Sequence, residues 1–584
     1  MTPEAQKNLS LWLEGPYDAA TKEEILKQLQ ADPKGLEDAF YTHLSFGTGG
    51  LRGLMGVGTN RMNGYTVRAI TQGLANYLKK IVQGPLSVCI GYDARHHSRF
   101  FAEETAKVLA GNAIRVFLFQ DIRPTPLVSF ACRNKKCSAA IMITASHNPS
   151  AYNGYKVYWS DGGQVVSPHD RGILEEVSCI QDPSQVQTAS LLSDSRIEWL
   201  GEKMDQLYLD ATSTLQIYPQ DNQIFGENLQ IVYTSLHGTG GTLVPKILHR
   251  WGFSHVLPVS AQMTADGDFP TVASPNPEEP AALAMGKQLL VEQQADLLLA
   301  TDPDADRVAA MVLHRGEPVT LTGNQLAALC LQHICSGLAS QGRLPLRAAF
   351  VKSIGTTELF TAICAHFQRP CHNVLTGFKY IAEKIRQWEE APNGLQYLFG
   401  GEESLGYLMG SLVRDKDGVS SSALICEAAL QAKKQGKTLV DCLEDLFYTY
   451  GVYQESLLSL HFGETKAGKE QMQQAMSRLR KHIPKTIEGL RVICLEDCLS
   501  SQKKDLLSRR SSPSLLPISD VLLFWLEDKS KILIRPSGTE PKVKIYCAAV
   551  KPVVGTLSAT EEACTKHCQA LAKAAQHLLG RFTN

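Results

Sequence analysis

The sequence has no long hydrophobic run and no recognisable export signal. Within its 584 residues no apolar stretch approaches the roughly 18 residues that a membrane-spanning helix needs. The segment Met1 to Gly15 is polar and acidic, and it lacks the basic and apolar regions of a signal peptide. We therefore expect neither a membrane protein nor a secreted one.

The sequence also lacks a large net charge and CxxC pairs of cysteines. The formal net charge is -1, so no overall field attracts nucleic acid or an anionic membrane, and any anion must be bound by local clusters. The fifteen cysteines include no CxxC pair, which argues against a disulfide framework or a zinc site. The sequence therefore predicts a cytoplasmic protein with reduced thiols and no nucleic-acid or membrane partner. Its oligomeric state, monomer or dimer, stays open.

Short apolar runs alternate with helical patterns along most of the chain. Strand-like runs such as Leu86 to Gly91 and Ala139 to Thr144 are separated by a helical pattern over Phe100 to Ala110. Alternation of this kind indicates βαβ units and parallel strands. The pair Thr21 and Glu24 predicts a capping box that opens a helix. Three such α/β blocks are followed, after about residue 453, by a segment of α+β character.

The first motif is Thr144-Ala-Ser-His-Asn-Pro149, directly after an apolar run. Ligands of α/β sheets bind at the carboxyl ends of strands, where Ser146 would be free to act as a nucleophile. The adjacent His147 could move protons. A helix-capping turn explains the same residues equally well, so the other motifs must decide.

The second motif is Asp302-Pro-Asp-Ala-Asp-Arg307, after the strand-like run that ends at Ala300. Three carboxylates in one loop repel each other unless a cation lies between them, and Mg²⁺ accepts such ligands together with phosphate oxygen. An EF-hand is excluded, because Arg307 stands where that loop needs glycine and Leu313 where it needs glutamate.

Two further motifs suit phosphate and sugar. Arg535-Pro-Ser-Gly-Thr-Glu-Pro541 combines a guanidinium with a turn whose N–H groups can hold an anion. Gly400-Gly-Glu-Glu-Ser-Leu-Gly406 offers carboxylates and a hydroxyl to sugar hydroxyl groups, although a helix N-terminus would also favour its glutamates. Basic residues near these loops are Arg52, Lys156, Lys379 and Arg414.

Taken together, the four motifs resemble the α-D-phosphohexomutase superfamily in content and in order. Phe46-Gly-Thr-Gly-Gly-Leu-Arg52, Arg61-Met-Asn63 and Asp161-Gly-Gly163 are most similar to its phosphoglucomutase and phosphopentomutase branch. The resemblance implies three related α/β domains with mixed sheets and a C-terminal α+β domain around a central cleft. We place these domains at residues 1–217, 218–326, 327–453 and 454–584.

The resemblance also implies roles for individual residues. Ser146 is expected to be the phosphoserine, with Mg²⁺ held by the Ser146 phosphate and by Asp302, Asp304 and Asp306. Residues expected to be catalytic beside Ser146 are Arg52, His147, Lys156 and Lys379. Residues expected to bind the substrate, with Arg414 added for its position, are Arg307, Glu402, Ser404, Arg414, Arg535, Ser537, Gly538 and Thr539. The general base stays open between Lys156, Lys379 and His147.

The implied activity is phosphosugar mutation through a sugar bisphosphate, most simply between glucose 1-phosphate and glucose 6-phosphate. Glucose 1,6-bisphosphate would be both intermediate and activator. A main activity on mannose or pentose phosphates, a glucose 1,6-bisphosphate synthase, a metal-dependent phosphatase and a non-catalytic sugar-phosphate binder are the alternatives. Residues 503–517 match no motif, and their polar composition predicts a flexible insertion in the last domain.

Overall fold

Four sheets organise the protein in a computed structural model that describes residues 1–44, 46–47, 50–191, 194–463, 466–537 and 541–580. Three sheets mix parallel and antiparallel strands and are packed with helices, whereas the last is antiparallel. The predicted fold class is therefore confirmed. No helix in the described part of the chain combines the length and the apolar character that a bilayer crossing requires.

Three short helices precede the first sheet: α1 (Pro3–Glu14), α2 (Ala19–Ala31) and α3 (Pro33–Phe40). Helix α2 begins one turn earlier than predicted, because the Asp18 carboxylate caps it by accepting from the Thr21 N–H at 2.8 Å. The predicted capping box at Thr21 is therefore wrong. An aspartate is as good a cap as a threonine, and this one lies nearer the start of the helix.

The first sheet has seven strands in the order β1-β2-β6-β5-β3-β4-β7. Its strands are β1 (Phe46–Gly47), β2 (Gly50–Leu54), β3 (Ser87–Tyr92), β4 (Arg115–Phe119), β5 (Ala139–Ile143), β6 (Tyr152–Trp159) and β7 (Ile197–Leu200). Its helices are α4 (Gly64–Ile81), α5 (Ser98–Gly111), α6 (Thr125–Asn134), α7 (His169–Ser178) and α8 (Glu202–Ser213). Strands β3, β4, β5 and β7 are parallel, as the alternating pattern predicts.

The second and third sheets repeat this arrangement with fewer strands, in the orders β12-β11-β10-β8-β9 and β14-β13-β15-β16. The second unit has α9 (Pro219–Phe225), β8 (Ile231–Thr234), α10 (Val244–Arg250), β9 (Val256–Pro258), α11 (Ser260–Met263), α12 (Ala284–Glu292), β10 (Leu297–Thr301), β11 (Val308–His314) and β12 (Glu317–Leu321). The third has α13 (Gly323–Ser340), β13 (Ala348–Ser353), α14 (Glu358–His366), β14 (Cys371–Val374), α15 (Phe378–Glu390), β15 (Gln396–Glu402), β16 (Gly406–Met409), α16 (Gly418–Lys434) and α17 (Leu439–Tyr450).

The last unit is an antiparallel sheet in the order β17-β24-β23-β22-β19-β20-β21, with β18 beside β19. Its elements are β17 (Val452–His461), α18 (Lys466–Lys481), β18 (Thr486–Ile487), β19 (Leu490–Asp497), β20 (Gln502–Asp505), β21 (Arg510–Pro513), β22 (Leu522–Leu526), β23 (Lys531–Pro536), β24 (Lys542–Lys551) and α19 (Leu557–Gly580). The prediction of a flexible insertion at 503–517 is wrong in part, because β20 and β21 form a hairpin on β19.

The domain limits stay a prediction, but two of them cut regular elements. A boundary after residue 326 divides α13, and one after residue 453 divides β17. Helix α16, which follows the third sheet in the chain, packs against α10 and β11 of the second unit. The second and third units therefore share an interface that sequence blocks do not reveal.

Candidate active site

Ser146 lies in the turn that follows β5, with a left-handed backbone angle φ of 55° that non-glycine residues seldom adopt. Its N–H donates to the Thr144 hydroxyl at 2.8 Å, which stabilises the turn. Its hydroxyl donates to Asp302 Oδ2 at 2.7 Å and lies 3.1 Å from His147 Nδ1. Asp302 follows β10, so the ends of two strands from different sheets meet here.

The loop that carries Ser146 is held by the buried Arg95, which the sequence analysis missed. Its guanidinium donates to the carbonyls of Ser146 (2.5 Å), Asn148, Pro149 (2.8 Å) and Tyr152 (3.1 Å). Asp93 lies 3.3 Å from Arg95 Nε and offsets its charge. An Asp-Ala-Arg sequence directly after β3 is the one signal that could have drawn attention to it. These four hydrogen bonds from one guanidinium hold the loop that carries Ser146 in place.

Asp302, Asp304 and Asp306 converge, with ligand oxygens that lie within 4.8 Å of one another. All three are buried. Burial and the two neighbouring carboxylates raise the pKa of Asp302 well above its usual value. Burial alone would also raise the pKa of Asp306, but Lys156, Lys416 and Arg307 hold it well below the usual value. The cationic neighbours therefore favour the ionised form of Asp306, whereas Asp302 favours its protonated form.

Two lysines contact this carboxylate cluster and leave two of its oxygens without a hydrogen bond. Lys156, on β6, lies 2.7 Å from Asp304 Oδ2 and 3.0 Å from Asp306 Oδ2. Lys416, which the sequence analysis did not select, lies 3.1 Å from Asp306 Oδ2. Among the described residues, Asp304 Oδ1 and Asp306 Oδ1 have no hydrogen-bond partner. Buried oxygens of this kind are suitable ligands for a hard divalent cation.

Cationic and neutral groups surround Ser146. Arg52, on β2, is electrostatically coupled to all three aspartates, and burial lowers its pKa. The Arg307 N–H donates to Asp302 Oδ1 at 3.0 Å, and its guanidinium lies 3.1 Å from Glu278. Burial, with Arg307 and Arg52, lowers the pKa of His147 well below 6.5, so its imidazole is neutral at neutral pH.

Glu402, at the end of β15, faces the same region from the third unit. Its Oε1 accepts the Gly377 N–H at 2.7 Å, just before α15 and Lys379. Burial raises the pKa of Glu402 to about 7. Glu403 instead accepts the Ser353 hydroxyl at 2.7 Å, and Ser404 lies partly exposed in the following turn. Burial lowers the pKa of the Lys379 ammonium, and Arg535 adds to this effect.

Glu402→Gln should change how stability depends on pH. In the unfolded chain this carboxyl ionises near 4.5, and in the folded protein only near 7. Between these values the folded state binds more protons, so its contribution to stability is present at low pH and is lost as pH rises through 7. The wild type should lose up to about 3 kcal/mol relative to Glu402→Gln between pH 5 and 8.

Thermal midpoints of the two proteins across this pH range measure the difference. Glu390→Gln, at an exposed position at the end of α15, is the matched control and should follow the wild type. A gap between wild type and Glu402→Gln that stays constant from pH 5 to 8 would show that Glu402 does not titrate in this range.

The motif that begins at Arg535 brings cations from the last sheet towards α15. Arg535 on β23 is paired in register with Lys544 on β24, and the Ser537 N–H donates to the Lys542 carbonyl at 2.8 Å. Burial, followed by Lys542 and Arg535, lowers the pKa of Lys544. Gly538 and Thr539, also predicted here, lie outside the described residues. Lys544 was missed, although it follows the motif closely in sequence.

Arg414 is the predicted site residue whose surroundings do not support its assigned role. It is completely buried, and its guanidinium contacts Glu389 and donates to the carbonyls of Ser411 and Val413. The backbone N–H of Arg414 donates to the Ser129 hydroxyl at 2.9 Å, and this hydrogen bond joins the third unit to the first. Arg414 therefore holds two units together, and Lys416, two residues later, is the cation that reaches the carboxylates.

Family models match three consecutive parts of the chain. They are described as phosphoglucomutase/phosphomannomutase α/β/α domains I, II and III and match residues 43–183, 206–316 and 322–450. A phosphoglucomutase from Staphylococcus aureus strain bovine RF122 / ET3-1 is 37% identical over 553 residues, which cover 94% of this chain and 96% of that protein. The phosphoglucomutase of strain USA300 is also 37% identical, with the same coverage.

Solved structures show the same fold at lower identity. Parafusin from Paramecium is 17% identical, with a TM-score of 0.67 over 92% of this chain and 96% of that one. A phosphoglucomutase/phosphomannomutase family protein from Burkholderia thailandensis is 16% identical, with a TM-score of 0.65 over 92% and 97%. The fold and the site together define a class of enzymes that transfer phosphoryl groups. The chain belongs to the phosphoglucomutase/phosphomannomutase family. It is accordingly a phosphohexose mutase, an isomerase.

Proposed function

We propose that the protein interconverts glucose 1-phosphate and glucose 6-phosphate, with Ser146 as the phosphoryl carrier and glucose 1,6-bisphosphate as the intermediate. The contact between the Ser146 hydroxyl and Asp302, at 2.7 Å, carries this proposal. It puts a nucleophilic oxygen at the edge of a buried carboxylate cluster. The choice of glucose is supported by the relatives, which are phosphoglucomutases.

The aspartate cluster would hold Mg²⁺. Among the described residues, Asp304 Oδ1 and Asp306 Oδ1 accept no hydrogen bond, and Asp302 carries the oxygen that faces Ser146. All are carboxylate oxygens, the donors that Mg²⁺ prefers. When bound, the cation would offset negative charge on the transferring group. Lys156 contacts Asp304 and Asp306, and Lys416 contacts Asp306, which keeps these two carboxylates ionised and in place.

The protein's own residues can do the remaining work. On the first leg, the free hydroxyl of the sugar phosphate attacks the phosphoserine, and the bond from phosphorus to Ser146 Oγ breaks. The proton passes from the sugar hydroxyl through His147 Nδ1 to Ser146 Oγ. After the bisphosphate turns around, the same steps run in reverse. Arg535 and Lys379 would hold the phosphate that is not reacting, and Glu402 and Ser404 the sugar hydroxyls.

We assign the proton transfer to His147 rather than to either lysine. Asp304 and Asp306 raise the pKa of Lys156 against the effect of burial, which keeps its ammonium protonated. In the described part of the chain Lys379 makes no hydrogen bond with Ser146, whereas His147 Nδ1 lies 3.1 Å from the Ser146 hydroxyl. His147→Gln should lower kcat about 10²- to 10⁴-fold. In the wild type, kcat should stay level as pH falls through 6.5, and a loss of rate there with an ordinary histidine pKa would contradict the assignment.

A substrate panel tests the proposed reaction. Glucose, mannose, N-acetylglucosamine and ribose 1-phosphates are each assayed with Mg²⁺ and bisphosphate activator. We expect the highest kcat/KM with glucose 1-phosphate and no release of inorganic phosphate. A preference for ribose or mannose phosphate would replace the substrate and keep the mechanism. Net phosphate release would instead make the protein a phosphatase.

A further inference from the structure

A second cavity of about 510 Å³ lies between the N-terminal helices and the first sheet. Its walls come from α1 and the turn before α2, from α4 and α5, and from residues 180–189. Residues 1–42 precede the part of the chain that matches family domain I. None of the lining residues belongs to the site around Ser146. Its volume is in the range of small-molecule binding sites.

One end of this cavity is aromatic and has unused polar groups. The Tyr17 ring stacks on Trp12, with centroids 4.4 Å apart, and meets Tyr65 edge-on at 4.8 Å. Among the described residues, neither the Tyr17 hydroxyl nor the His43 ring has a hydrogen-bond partner. Burial, with Asp182 and Tyr65, raises the pKa of Tyr17 to about 12, and burial lowers that of His43. The half-buried Tyr17 hydroxyl and the exposed His43 ring therefore line the cavity and are available to a ligand.

The other end presents two cations. Glu104 is paired with Arg68 and, at 2.7 Å, with Lys107. The carboxylate is 2% exposed, whereas the side chains of Arg68 and Lys107 are 34% and 31% exposed. Glu104 also lines the cavity, but its low exposure means that a ligand would contact mainly the two cations. Such a pair suits a phosphate group.

A packing gap would not account for these features. Voids left between packed helices are apolar and closed, whereas this cavity has an aromatic end, unpartnered polar groups and a cationic end. Asp182 lies at its rim and accepts the Ser184 N–H at 2.7 Å, which leaves its exposed carboxylate able to accept a hydroxyl. The order of these groups fits a planar base, a ribose and one phosphate.

We propose that this cavity binds a purine nucleoside monophosphate. The base would lie against Tyr17 and Tyr65 with its edge at the Tyr17 hydroxyl and the His43 ring. The phosphate would lie at Arg68 and Lys107. The site is separate from the catalytic cleft, so the nucleotide would bind whether or not a sugar phosphate occupies that cleft.

Calorimetric titration with AMP tests the proposal, using the full-length protein saturated with glucose 6-phosphate. We expect one AMP per chain, weaker binding of adenosine and no saturable binding of inorganic phosphate. Lys107→Ala should weaken AMP binding about tenfold and leave adenosine binding unchanged. Tyr17→Phe, which keeps the ring, should weaken both. Lys80→Ala on α4 removes another glutamate-paired lysine outside the cavity and should bind AMP like the wild type.

Three results would overturn the proposal. AMP fails to bind at about 1 mM, glucose 6-phosphate displaces it, or Lys107→Ala and Lys80→Ala bind it equally well. Saturable binding of inorganic phosphate that depends on Lys107 would reduce the site to an anion site without base recognition. Mutase turnover of every variant should equal that of the wild type, because these side chains lie outside the catalytic cleft. Lys107→Ala should melt at a lower temperature than the wild type, because it removes one partner of the buried Glu104, so its binding is measured below that temperature.

Discussion

Ser146→Ala should lower mutase turnover on the order of 10⁴-fold or more, since it removes the hydroxyl proposed to carry the phosphoryl group between the two legs. The hydroxyl makes contacts with Asp302 and His147 but fills little space, so the variant should fold. A coupled assay from glucose 1-phosphate to glucose 6-phosphate measures the loss, and thermal unfolding measures the fold.

Ser178→Ala is the matched control for this variant. Ser178 is exposed at the end of α7, and its hydroxyl donates to the Glu175 carbonyl at 2.7 Å. Its removal should leave turnover unchanged. Normal turnover by Ser146→Ala, under conditions in which both variants melt like the wild type, would rule out Ser146 as the phosphoryl carrier.

Asp304→Asn should be nearly as damaging, about 10³-fold in kcat/KM, because it removes one charged ligand from the proposed cation site. Metal ions contribute several kcal/mol to such reactions, and each 1.36 kcal/mol is tenfold in rate. Chelation of the wild type should cause a loss of similar size that Mg²⁺ restores. In Asp304→Asn the restoration should need much more Mg²⁺.

The fold of this variant is expected to survive, since Lys156 keeps its contact with Asp306 at 3.0 Å. Asp445→Asn, an exposed acid paired with Lys437 at 2.6 Å, is the control and should keep wild-type metal content and rate. Metal content is measured after dialysis. If Asp304→Asn retained both the metal and the activity of the wild type, the cluster would not be the cation site.

Much of the site could be predicted because each of its main loops follows a strand. Ser146 follows β5 and Asp302 follows β10, and the carboxyl ends of such strands form the ligand-binding edge of a sheet. The rule holds although the two residues are 156 positions apart in the chain. It says nothing of residues that act by holding the loops, and Arg95 was missed for that reason.

The features that the sequence did not reveal have a common physical origin in tertiary contacts. Arg414 and Lys416 are two residues apart, equally basic and both buried. Only the packing of the units decides that Arg414 contacts Glu389 whereas Lys416 contacts Asp306. Residues 503–517 are polar enough to suggest a flexible insertion, but β19 offers an edge to which β20 bonds, and β21 bonds to β20 in turn. Strand formation depends on such neighbours more than on intrinsic preference.

The most direct test of the account follows one labelled phosphoryl group. The protein is loaded from labelled glucose 1,6-bisphosphate, separated from it and mixed with unlabelled glucose 1-phosphate. We predict that fragment mass spectrometry finds the label on Ser146, and that it moves into glucose bisphosphate within a single turnover. A label on another residue, a label that stays on the protein during turnover, or its release as inorganic phosphate would contradict the account.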